Sequence, residues 1–402
     1  MDRIYDKIVA EHLALYNQML FLVGPRQVGK TTISKNSKRF TDHYVYLNWD
    51  FEDDQILLLE GSHKIIEKYN LNKASKIKSI LSLDEIHKYK HWRNYLKGLY
   101  DKYSDLVHFI ITGSANLDIF RVSGDSLMGR YLPYRIHPLS TKELIDNTIS
   151  KSEISLPKPI NPQLFKDLLL YGGFPDPLLK QNTRFYNRWI TLRSEQLFQE
   201  DIRDITHIHD IAQLKLLSRI LQHQIGQLLN YSSLATKVKV TINTVQSWVN
   251  TLSAFYYCFL IPPWTNNISR SLIKHPKIYL WDWSEVKNLG AKHENIVACH
   301  LRKAIHFWQD TGLGKYELFF IRDKDQCEVD FLVTKNCVPW FLVEVKSSGG
   351  NSISRDLYKF QKQTNAKHAF QVVFDLPYVE KDCFEYKDPI IVPAQTFLSQ
   401  LV

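Results

Sequence analysis

A run of apolar residues followed by a glycine-rich turn constrains the first part of this chain more than any other feature. Met19-Leu-Phe-Leu-Val23 is apolar throughout and has the length of a strand buried on both faces. The loop Gly24-Pro-Arg-Gln-Val-Gly29-Lys30-Thr31-Thr32 follows it directly and leads into a helical pattern. A strand, a glycine loop and a helix in this order are typical of an α/β fold with a parallel sheet.

This loop also has the residues of a phosphate-binding loop. It fits the pattern G-x-x-x-x-G-K-[ST], whose glycines let backbone N–H groups surround a phosphate while the helix N-terminus adds positive potential. Lys30 is expected to reach the β- and γ-phosphates of a nucleotide, and the Thr31 hydroxyl is expected to ligate Mg²⁺. The alternative is a plain glycine turn. The residues predicted to contact the nucleotide are Gly24, Pro25, Arg26, Gln27, Val28, Gly29, Lys30, Thr31, Thr32 and, after a later strand, Ser114.

Two adjacent carboxylates fit the same site. Three further apolar runs, at 44–47, 80–83 and 107–111, have the character of buried parallel strands, and Asp84 and Glu85 end the second of them. Asp84 would hold Mg²⁺ through water, and Glu85 would orient or deprotonate the attacking water. An acid pair at the end of a strand is also common without any catalytic role.

Polar residues further along complete this predicted site. Thr112 and Ser114 follow a buried strand, where they could sense the γ-phosphate. Arg130 could neutralise transition-state charge, either in its own subunit or in a neighbouring one, and its alternative role is a surface salt bridge. Ser140 and Glu143 form a capping-box pattern, which predicts the start of a helix.

Beyond residue 150 the pattern of alternating strands and helices gives way to helices. The polar, proline-bearing segment 155–162 is typical of a linker. Residues 163–229 have helical spacing, and a tight loop at 171–177 interrupts them. This region is therefore expected to be a helical linker or lid.

Residues 230–262 predict a winged helix-turn-helix. A short helix capped by Tyr231-Ser232 leads into a turn at 237–241, a longer helix and a strand-like run at 256–261. The residues expected to be exposed on the second helix are Thr241, Asn243, Thr244 and Gln246.

The charge of the surrounding segment would suit contacts with DNA phosphates, although many such units pack only against protein. Between 201 and 280 the chain has only three acids, Asp201, Asp204 and Asp210. Its basic residues there are Arg203, Lys215, Arg219, Lys237, Lys239, Arg270, Lys274 and Lys277.

The last part of the chain returns to strands and carries a second set of carboxylates. Alternation along a strand places Glu328 and Asp330 on one face, and places Glu344 and Lys346 on one face. Asp330 and Glu344 would bind Mg²⁺ or Mn²⁺, and Glu294 would complete the site from an upstream helix. Lys346 would position the attacking water or offset charge on the phosphorane. The alternative is a pair of solvated strands.

Twelve short segments together carry a resemblance to a known family over nearly the full length. They are GPRQVGKTT at 24–32, LDEIH at 83–87, ITGSA at 111–115, LMGR at 127–130, HPLSTKEL at 137–144, YGGFPDPLL at 171–179, DIRDI at 201–205, LLNYSSLA at 228–235, TVQSWV at 244–249, PPW at 262–264, EVDF at 328–331 and VEVK at 343–346. In these segments the chain resembles the prokaryotic AAA-family ATPases whose C-terminal half is a domain of unknown function related to PD-(D/E)xK nucleases. Trp281-Asp-Trp-Ser departs from the Asp-Thr-Gly-like sequence expected there in many relatives, which puts substrate specificity in doubt.

The resemblance implies an α/β architecture of four parts. These are an AAA-type P-loop ATPase domain over 1–150, a helical lid region over 151–229, a winged-helix unit over 230–270 and a restriction-endonuclease-like α/β domain over 271–402. ATP, chosen over GTP by the resemblance, and Mg²⁺ are the expected ligands. A second Mg²⁺ or Mn²⁺ and DNA are candidates for the C-terminal half.

The expected function is ATP hydrolysis coupled to a DNA-binding, nuclease-like half. The alternative is a nucleotide-driven regulatory switch, or a protein-interaction ATPase, whose C-terminal domain binds without cleaving. If Arg130 acts on a neighbouring subunit, the protein must be a homo-oligomer.

Composition narrows the remaining classes. The chain has 402 residues, of which 44% are apolar and 23% charged, which leaves little room for long disorder. Its net charge of +9 favours an anionic partner. The five cysteines lack short paired spacing, so they favour reduced thiols over a disulfide framework or a zinc site. Without a leader pattern or an apolar run near the roughly 20 residues that cross a bilayer, a cytoplasmic protein with no membrane partner is expected.

Overall fold

The described residues fall into two compact units. The computed structural model describes residues 1–71, 77–113, 127–150, 152–203, 208, 210–265, 275–349 and 352–402. The first unit comprises Met1–His137 with Asn147–Ile149, and the second comprises Pro138–Asp146 with Ser150–Val402. Among the described residues, no helix combines the length and the apolar character needed to cross a membrane.

The first unit is built on a five-stranded parallel sheet with the order β2-β3-β4-β1-β5. The four apolar runs predicted as parallel strands are confirmed. The fifth strand was not predicted, because its proline and its polar ends mask the apolar pattern. The strands are β1 (Met19–Val23), β2 (Tyr44–Asn48), β3 (Ser79–Asp84), β4 (Val107–Gly113) and β5 (Tyr131–Arg135).

Burial follows the position of each strand in this sheet. β1 and β3 are buried along their whole length because they have neighbours on both sides. β2 is only half-buried, contrary to the prediction, because it lies at an edge. The proline Pro133 is tolerated because β5 is the opposite edge strand and pairs only with β1.

Helices cover the faces of this sheet. Its core contains the aromatic side chains of Phe21, Trp92 and Phe109 among aliphatic residues from β3 and the surrounding helices. The helices of the first unit are α1 (Ile4–Leu15), α2 (Lys30–Asn36), α3 (Glu52–Leu59), α4 (Ser62–Lys68) and α5 (Trp92–Tyr103), with short 3₁₀ turns at Ser37–Phe40 and Ile86–Lys88.

The second unit begins with helices, in agreement with the predicted pattern. Pro162 occupies the first turn of α7, where its missing N–H removes no helical hydrogen bond. The predicted loop at 171–177 joins α7 to α8. These helices are α6 (Thr141–Ile145), α7 (Pro162–Tyr171), α8 (Pro175–Lys180), α9 (Thr183–Gln196) and α10 (Ile211–Gln222), with a π-helical turn at Leu197–Ile202.

The predicted linker is attached to the rest of the second unit at its first residue. Ser155 N–H donates to Gln400 O at 3.0 Å, and Gln400 Nε2 donates to Ser155 O at the same distance. Segment 155–162 is therefore irregular chain tied to the C-terminal end of the unit.

Two helices and a two-stranded sheet follow in the order expected of the winged unit. α11 (Tyr231–Val238) and α12 (Ile242–Ala254) pack against each other, and β6 (Cys258–Ile261) pairs antiparallel with β7 (Lys277–Leu280). The predicted cap is wrong by one residue. The Asn230 side chain, not Tyr231-Ser232, caps α11 by accepting from Ser233 N–H at 3.0 Å.

A mixed five-stranded sheet ends the chain, with the order β12-β11-β10-β9-β8. β8, β9 and β10 are antiparallel, while β10, β11 and β12 are parallel. The predicted runs at 318–321, 329–333, 341–345 and 370–374 lie on these strands, and only β12 was missed. The elements are α13 (Leu289–Asp310), β8 (Tyr316–Arg322), β9 (Glu328–Lys335), β10 (Val338–Lys346), α14 (Arg355–Thr364), β11 (His368–Val373), β12 (Ile390–Pro393) and α15 (Ala394–Ser399).

Segment Pro138–Asp146 packs into the second unit through α13. Ser140 Oγ accepts from Glu143 N–H at 3.3 Å, which confirms the predicted helix start, but the Glu143 carboxylate pairs with Lys303. Thr141 N–H donates to His300 Nε2 at 3.0 Å, so that nitrogen must be unprotonated. Burial lowers the pKa of His300 to about 4, in keeping with a neutral ring.

Candidate functional site

The predicted phosphate loop connects β1 to α2 and takes a conformation that requires its glycines. Gly29 has φ +100°, in the left-handed region that favours glycine, and it caps the N-terminus of α2. A Cβ atom at Gly24 would lie 2.3 Å from Ile136 O, so only glycine fits beside the segment after β5. The loop residues are therefore held where backbone N–H groups can surround an anion.

The Lys30 ammonium lies inside this loop. It donates to Gly24 O at 2.9 Å and to Pro25 O at 2.7 Å. The side chain is buried, and the helix N-terminus beneath it adds positive potential. This position lets the ammonium face a phosphate group held by the loop.

Asp84 is surrounded by three hydroxyl groups at the C-terminal edge of the sheet. Its Oδ2 accepts from Thr31 Oγ1 at 2.9 Å and from Tyr46 OH at 2.6 Å, and its Oδ1 accepts from Thr112 Oγ1. Thr112 pairs with Asp84 in the register of β3 and β4, so its position was readable from the sequence. Tyr46 was missed. It lies two residues before the end of β2, and only its long side chain brings its hydroxyl to Asp84.

Glu85 directly follows Asp84 in a strained conformation. Its φ of +54° lies in the left-handed region, where a residue with a side chain is uncommon and often functional. Burial raises the pKa of Glu85, even though the ammonium groups of Lys30 and Lys88 act to lower it. A carboxylate with a raised pKa is better suited to accept a proton near neutral pH.

Arg130 does not reach this site within its own unit. Its guanidinium binds Asp101 through Nε at 2.7 Å and Nη2 at 3.1 Å, which is the predicted surface salt bridge. Arg130 precedes β5, so it lies at the edge of the sheet opposite the phosphate loop. Since a strand rises about 3.3 Å per residue, five residues separate the two edges by roughly 16 Å. A role in cis is incompatible with this placement, and a role in a neighbouring subunit stays a prediction. Ser114, the other predicted residue, lies outside the described residues.

The N-terminal segment supports the loop from a direction that the sequence pattern did not indicate. Arg3 Nη1 donates to Val28 O at 2.9 Å, and its Nη2 donates to His137 O at 2.7 Å. One buried guanidinium therefore links the phosphate loop to the residue that ends the first unit. No motif in the sequence indicates this contact.

The predicted carboxylates of the second unit do lie near one another. The ladder between β9 and β10 ends at Phe331 and Val343, and the Asp330 carboxylate then accepts from Val345 N–H at 2.8 Å. Glu344 Oε1 accepts from Lys346 Nζ at 2.7 Å. Burial and the Asp330 charge together raise the pKa of Glu344.

A cation that was assigned elsewhere lies among these acids. Lys277 Nζ is 3.3 Å from Glu294 Oε1 and 3.6 Å from Asp330 Oδ1, and it forms an ion pair with Glu328. Lys277 was counted with the DNA-facing basic residues, but its side chain is only 3% exposed. Within the described ranges, no group of three or more His, Cys, Asp or Glu side chains is placed to hold a metal ion. The predicted metal ligands Glu294, Asp330 and Glu344 therefore do not form such a group.

The surface expected to face DNA is partly as predicted. Thr241, Asn243 and Gln246 are exposed on or before α12, and Thr244 is half-buried. Thr241 caps the helix by accepting from Thr244 N–H at 3.1 Å. Of the eight basic residues, Arg270 and Lys274 lie outside the described residues. The exposed ones are Arg203, Arg219, Lys237 and Lys239.

Family profiles cover most of the chain in three segments. Residues 16–145 match a family described as an AAA domain. Residues 162–291 and 289–390 each match a domain of unknown function, DUF8612 and DUF4143 respectively. The nuclease relationship expected for the last segment is thus not part of any description.

The curated relatives are uncharacterised proteins. One from Methanocaldococcus jannaschii is 25% identical over 79% of this chain and 72% of its own length. Another, from Mycobacterium tuberculosis, is 21% identical over 84% of this chain and 72% of its own length.

Two solved structures were also found, at low scores. AMPPCP-bound DnaA from Aquifex aeolicus has a TM-score of 0.32 and 14% identity, covering 61% of this chain and 86% of its own. PCH-2 from C. elegans has a TM-score of 0.25 and 13% identity, covering 62% and 64%. The assignment therefore depends on the family profile and on the geometry of the loop, β1, β3 and Asp84. Residues 16–145 form an AAA-type P-loop ATPase domain.

Proposed function

We propose that the protein binds ATP with Mg²⁺ at the phosphate loop of its first unit and hydrolyses it. The observation that carries the proposal is the 2.9 Å hydrogen bond between Thr31 Oγ1 and Asp84 Oδ2. The hydroxyl of the loop and the carboxylate at the end of β3 come from residues far apart in sequence. Their meeting at the C-terminal edge of the parallel sheet supports a nucleotide site there.

The residues of this edge fit a magnesium ion. Thr31 and Asp84 offer two oxygen donors, one neutral and one charged, which are the ligands that a hard cation prefers. Thr31 would ligate the ion directly, and Asp84 would hold it through water. When bound, Mg²⁺ neutralises charge on the β- and γ-phosphates.

The remaining residues would divide the work of hydrolysis. Lys30 would turn from the carbonyl oxygens of Gly24 and Pro25 to the β- and γ-phosphates, which are stronger acceptors for an ammonium. Glu85 would accept a proton from the attacking water or orient it. Tyr46 and Thr112 would hold the Asp84 carboxylate in position through their hydroxyls.

Replacement of Thr31 by valine tests the role of the magnesium ligand. Thr31→Val removes the hydroxyl and preserves the shape, so the Mg²⁺ concentration for half-maximal ATP turnover should rise by about tenfold or more. The measurement is phosphate release as a function of Mg²⁺ concentration. Thr41→Val is the control, because Thr41 bonds only Lys78 O and its own turn. An unchanged Mg²⁺ dependence in Thr31→Val, or wild-type protein that releases no phosphate from ATP, would refute the proposal.

The exposed end of α12 favours a second function, the binding of DNA. α11, a turn with Lys237 and Lys239, and α12 follow one another in the arrangement that presents a helix N-terminus to a groove. Asn243 and Gln246 are exposed there and have amide groups that can hydrogen-bond base edges. We infer that this surface contacts DNA.

A charge substitution tests this surface. The double variant Lys237→Ala with Lys239→Ala removes two phosphate contacts and should weaken duplex binding and lower the salt slope by about 2, because each contact releases about one counterion. Titrations of labelled duplex at several salt concentrations measure both quantities. The double variant Lys166→Ala with Lys180→Ala, on exposed positions of α7 and α8, is the matched control. Salt-independent retention, or equal losses in both double variants, would show that the surface does not bind DNA.

A further inference from the structure

The carboxylate cluster of the second unit contains its own cation. Lys277 begins β7, Glu294 lies on α13, and Glu328 and Asp330 lie on β9. The Lys277 ammonium meets all three acids, and its three hydrogens therefore have three carboxylates to bond. One buried side chain thus joins a strand, a helix and the C-terminal sheet.

The backbone of Lys277 is fixed from two sides. Its residue pairs with Ile261 in the β6–β7 ladder, and an isolated bridge joins it to Leu228. Tyr279 follows on the same face of β7, and its hydroxyl donates to Glu294 Oε1 at 2.7 Å. The lysine side chain is therefore directed into the cluster by its strand, not swung there by a loop.

Few carboxylate oxygens of the cluster remain for a metal ion. Asp330 Oδ2 accepts from Val345 N–H, and its Oδ1 faces Lys277. Glu294 Oε1 is shared by Lys277 and Tyr279, and a Cβ atom at Gly226 would lie only 2.7 Å from Glu294 Oε2, which shows how closely the backbone covers it. The exception is Glu344 Oε2, which is buried and has no hydrogen-bond donor among the described residues.

One available oxygen is too few for a divalent ion. Mg²⁺ needs near-octahedral coordination and Mn²⁺ similar oxygen ligands, so Glu344 Oε2 alone cannot hold either. A divalent ion beside Asp330 would also lie close to the Lys277 ammonium and be repelled by it. Burial alone would lower the pKa of Lys277, but the charges of Glu294, Asp330 and Glu328 outweigh it and raise the pKa, so the side chain stays charged.

We propose that Lys277 is the resident cation of this cluster and takes the place of a divalent ion. The cluster then stabilises the contact of β7, α13 and β9, and the second unit has no metal-dependent cleavage at Asp330, Glu344 and Lys346. This inference is independent of the ATPase proposal, because every residue in it belongs to the second unit.

Manganese binding to the full chain without nucleotide tests the proposal. The variant Lys277→Met removes the charge with a side chain of similar length, and Lys315→Met is the control on an exposed lysine of the same unit. Electron paramagnetic resonance counts bound Mn²⁺, and thermal unfolding with and without Mn²⁺ gives an independent measure through linkage. Wild type and Lys315→Met should show no site in the second unit tighter than about 1 mM.

The lysine variant should gain what wild type lacks. Lys277→Met should bind one Mn²⁺ at least about tenfold more tightly than wild type, because the ammonium no longer repels the ion, and Mn²⁺ should raise its melting temperature. Addition of Glu344→Gln to Lys277→Met should remove that site. If Lys277→Met folds only in the presence of Mn²⁺, the ion has replaced the ammonium and the proposal stands.

Three results would overturn the proposal. The first is a wild-type Mn²⁺ site at micromolar concentration that Glu344→Gln removes. The second is a folded Lys277→Met that binds Mn²⁺ no better than wild type. The third is nicking of DNA by wild type with Mn²⁺ that Lys346→Ala abolishes while ATP turnover is retained. If Lys277→Met does not fold under any condition, the first and third tests on otherwise wild-type protein still decide the question.

Discussion

The variant Glu85→Gln is expected to lose about 10²–10⁴-fold of the ATP turnover rate while it still binds ATP, because a positioned general base contributes that much to a proton transfer. Glutamine has the same shape as glutamate but cannot accept a proton. Lys30, Thr31 and Asp84 are untouched by the change, so the groups that would hold the nucleotide and Mg²⁺ remain. The measurements are steady-state phosphate release and the binding of a fluorescent ATP analogue.

The pH dependence of turnover provides a second readout for Glu85. Burial raises the pKa of Glu85, and the base must be ionised to act, so wild-type turnover should fall as pH decreases through this raised value. In Glu85→Gln the acid limb that belongs to this group should disappear from the residual rate. Glu67→Gln, at an exposed position of α4, should leave both rate and profile unchanged.

A contrasting variant separates chemistry from binding. Lys30→Ala should lose both ATP binding and turnover, since it removes the ammonium that faces the phosphates. Lys38→Ala, an exposed lysine just beyond α2, is its control. If Glu85→Gln turns over ATP within about threefold of wild type, the residue is not the base and a group outside the described residues must be sought.

The ATP site was largely predictable from the sequence because it is made of local patterns. The loop 24–32 and the pair Asp84-Glu85 each follow an apolar strand, and the C-terminal ends of parallel strands meet at one edge. Tyr46 and Arg3 could not be predicted in this way. Each reaches its partner through a long side chain, and no spacing rule relates it to the residue that it contacts.

The second unit shows the limit of assigning charges by sequence neighbourhood. Lys277 lies among basic residues along the chain, and its strand was predicted, but its partners come from α13 and β9. Alternation placed Glu328 with Asp330 and Glu344 with Lys346 correctly. Which cation these acids would receive depends on long-range packing, which periodicity does not describe.

The unit boundary depended on another long-range contact. The capping box predicted a helix at Ser140, and that helix exists, but its Glu143 pairs with Lys303 from a helix that begins almost 150 residues later. This pair is completely removed from solvent, at 2% exposure for Lys303 and 0% for Glu143. Lys303 Nζ also donates to Ser140 Oγ at 2.9 Å and to Pro138 O at 3.2 Å.

Loss of one partner of this pair is expected to destabilise the second unit strongly. Lys303→Met leaves the Glu143 carboxylate buried without its ammonium, which should lower the free energy of unfolding by about 3–5 kcal/mol. Glu143→Gln leaves the ammonium and should also destabilise, to a smaller extent, because an amide oxygen can still accept from it. Denaturant unfolding of the full chain measures both changes.

The double variant decides whether the charges themselves are responsible. In Glu143→Leu with Lys303→Met no charge is left buried, so the double variant should be more stable than Lys303→Met alone, with a coupling energy of about 2 kcal/mol or more between the two positions. If the two losses simply add, the pair is not coupled and the cost comes from cavities at each site. A pair that is strongly coupled and fully buried would explain why Pro138–Asp146 packs with α13, although the sequence places it directly after the last strand of the ATPase sheet.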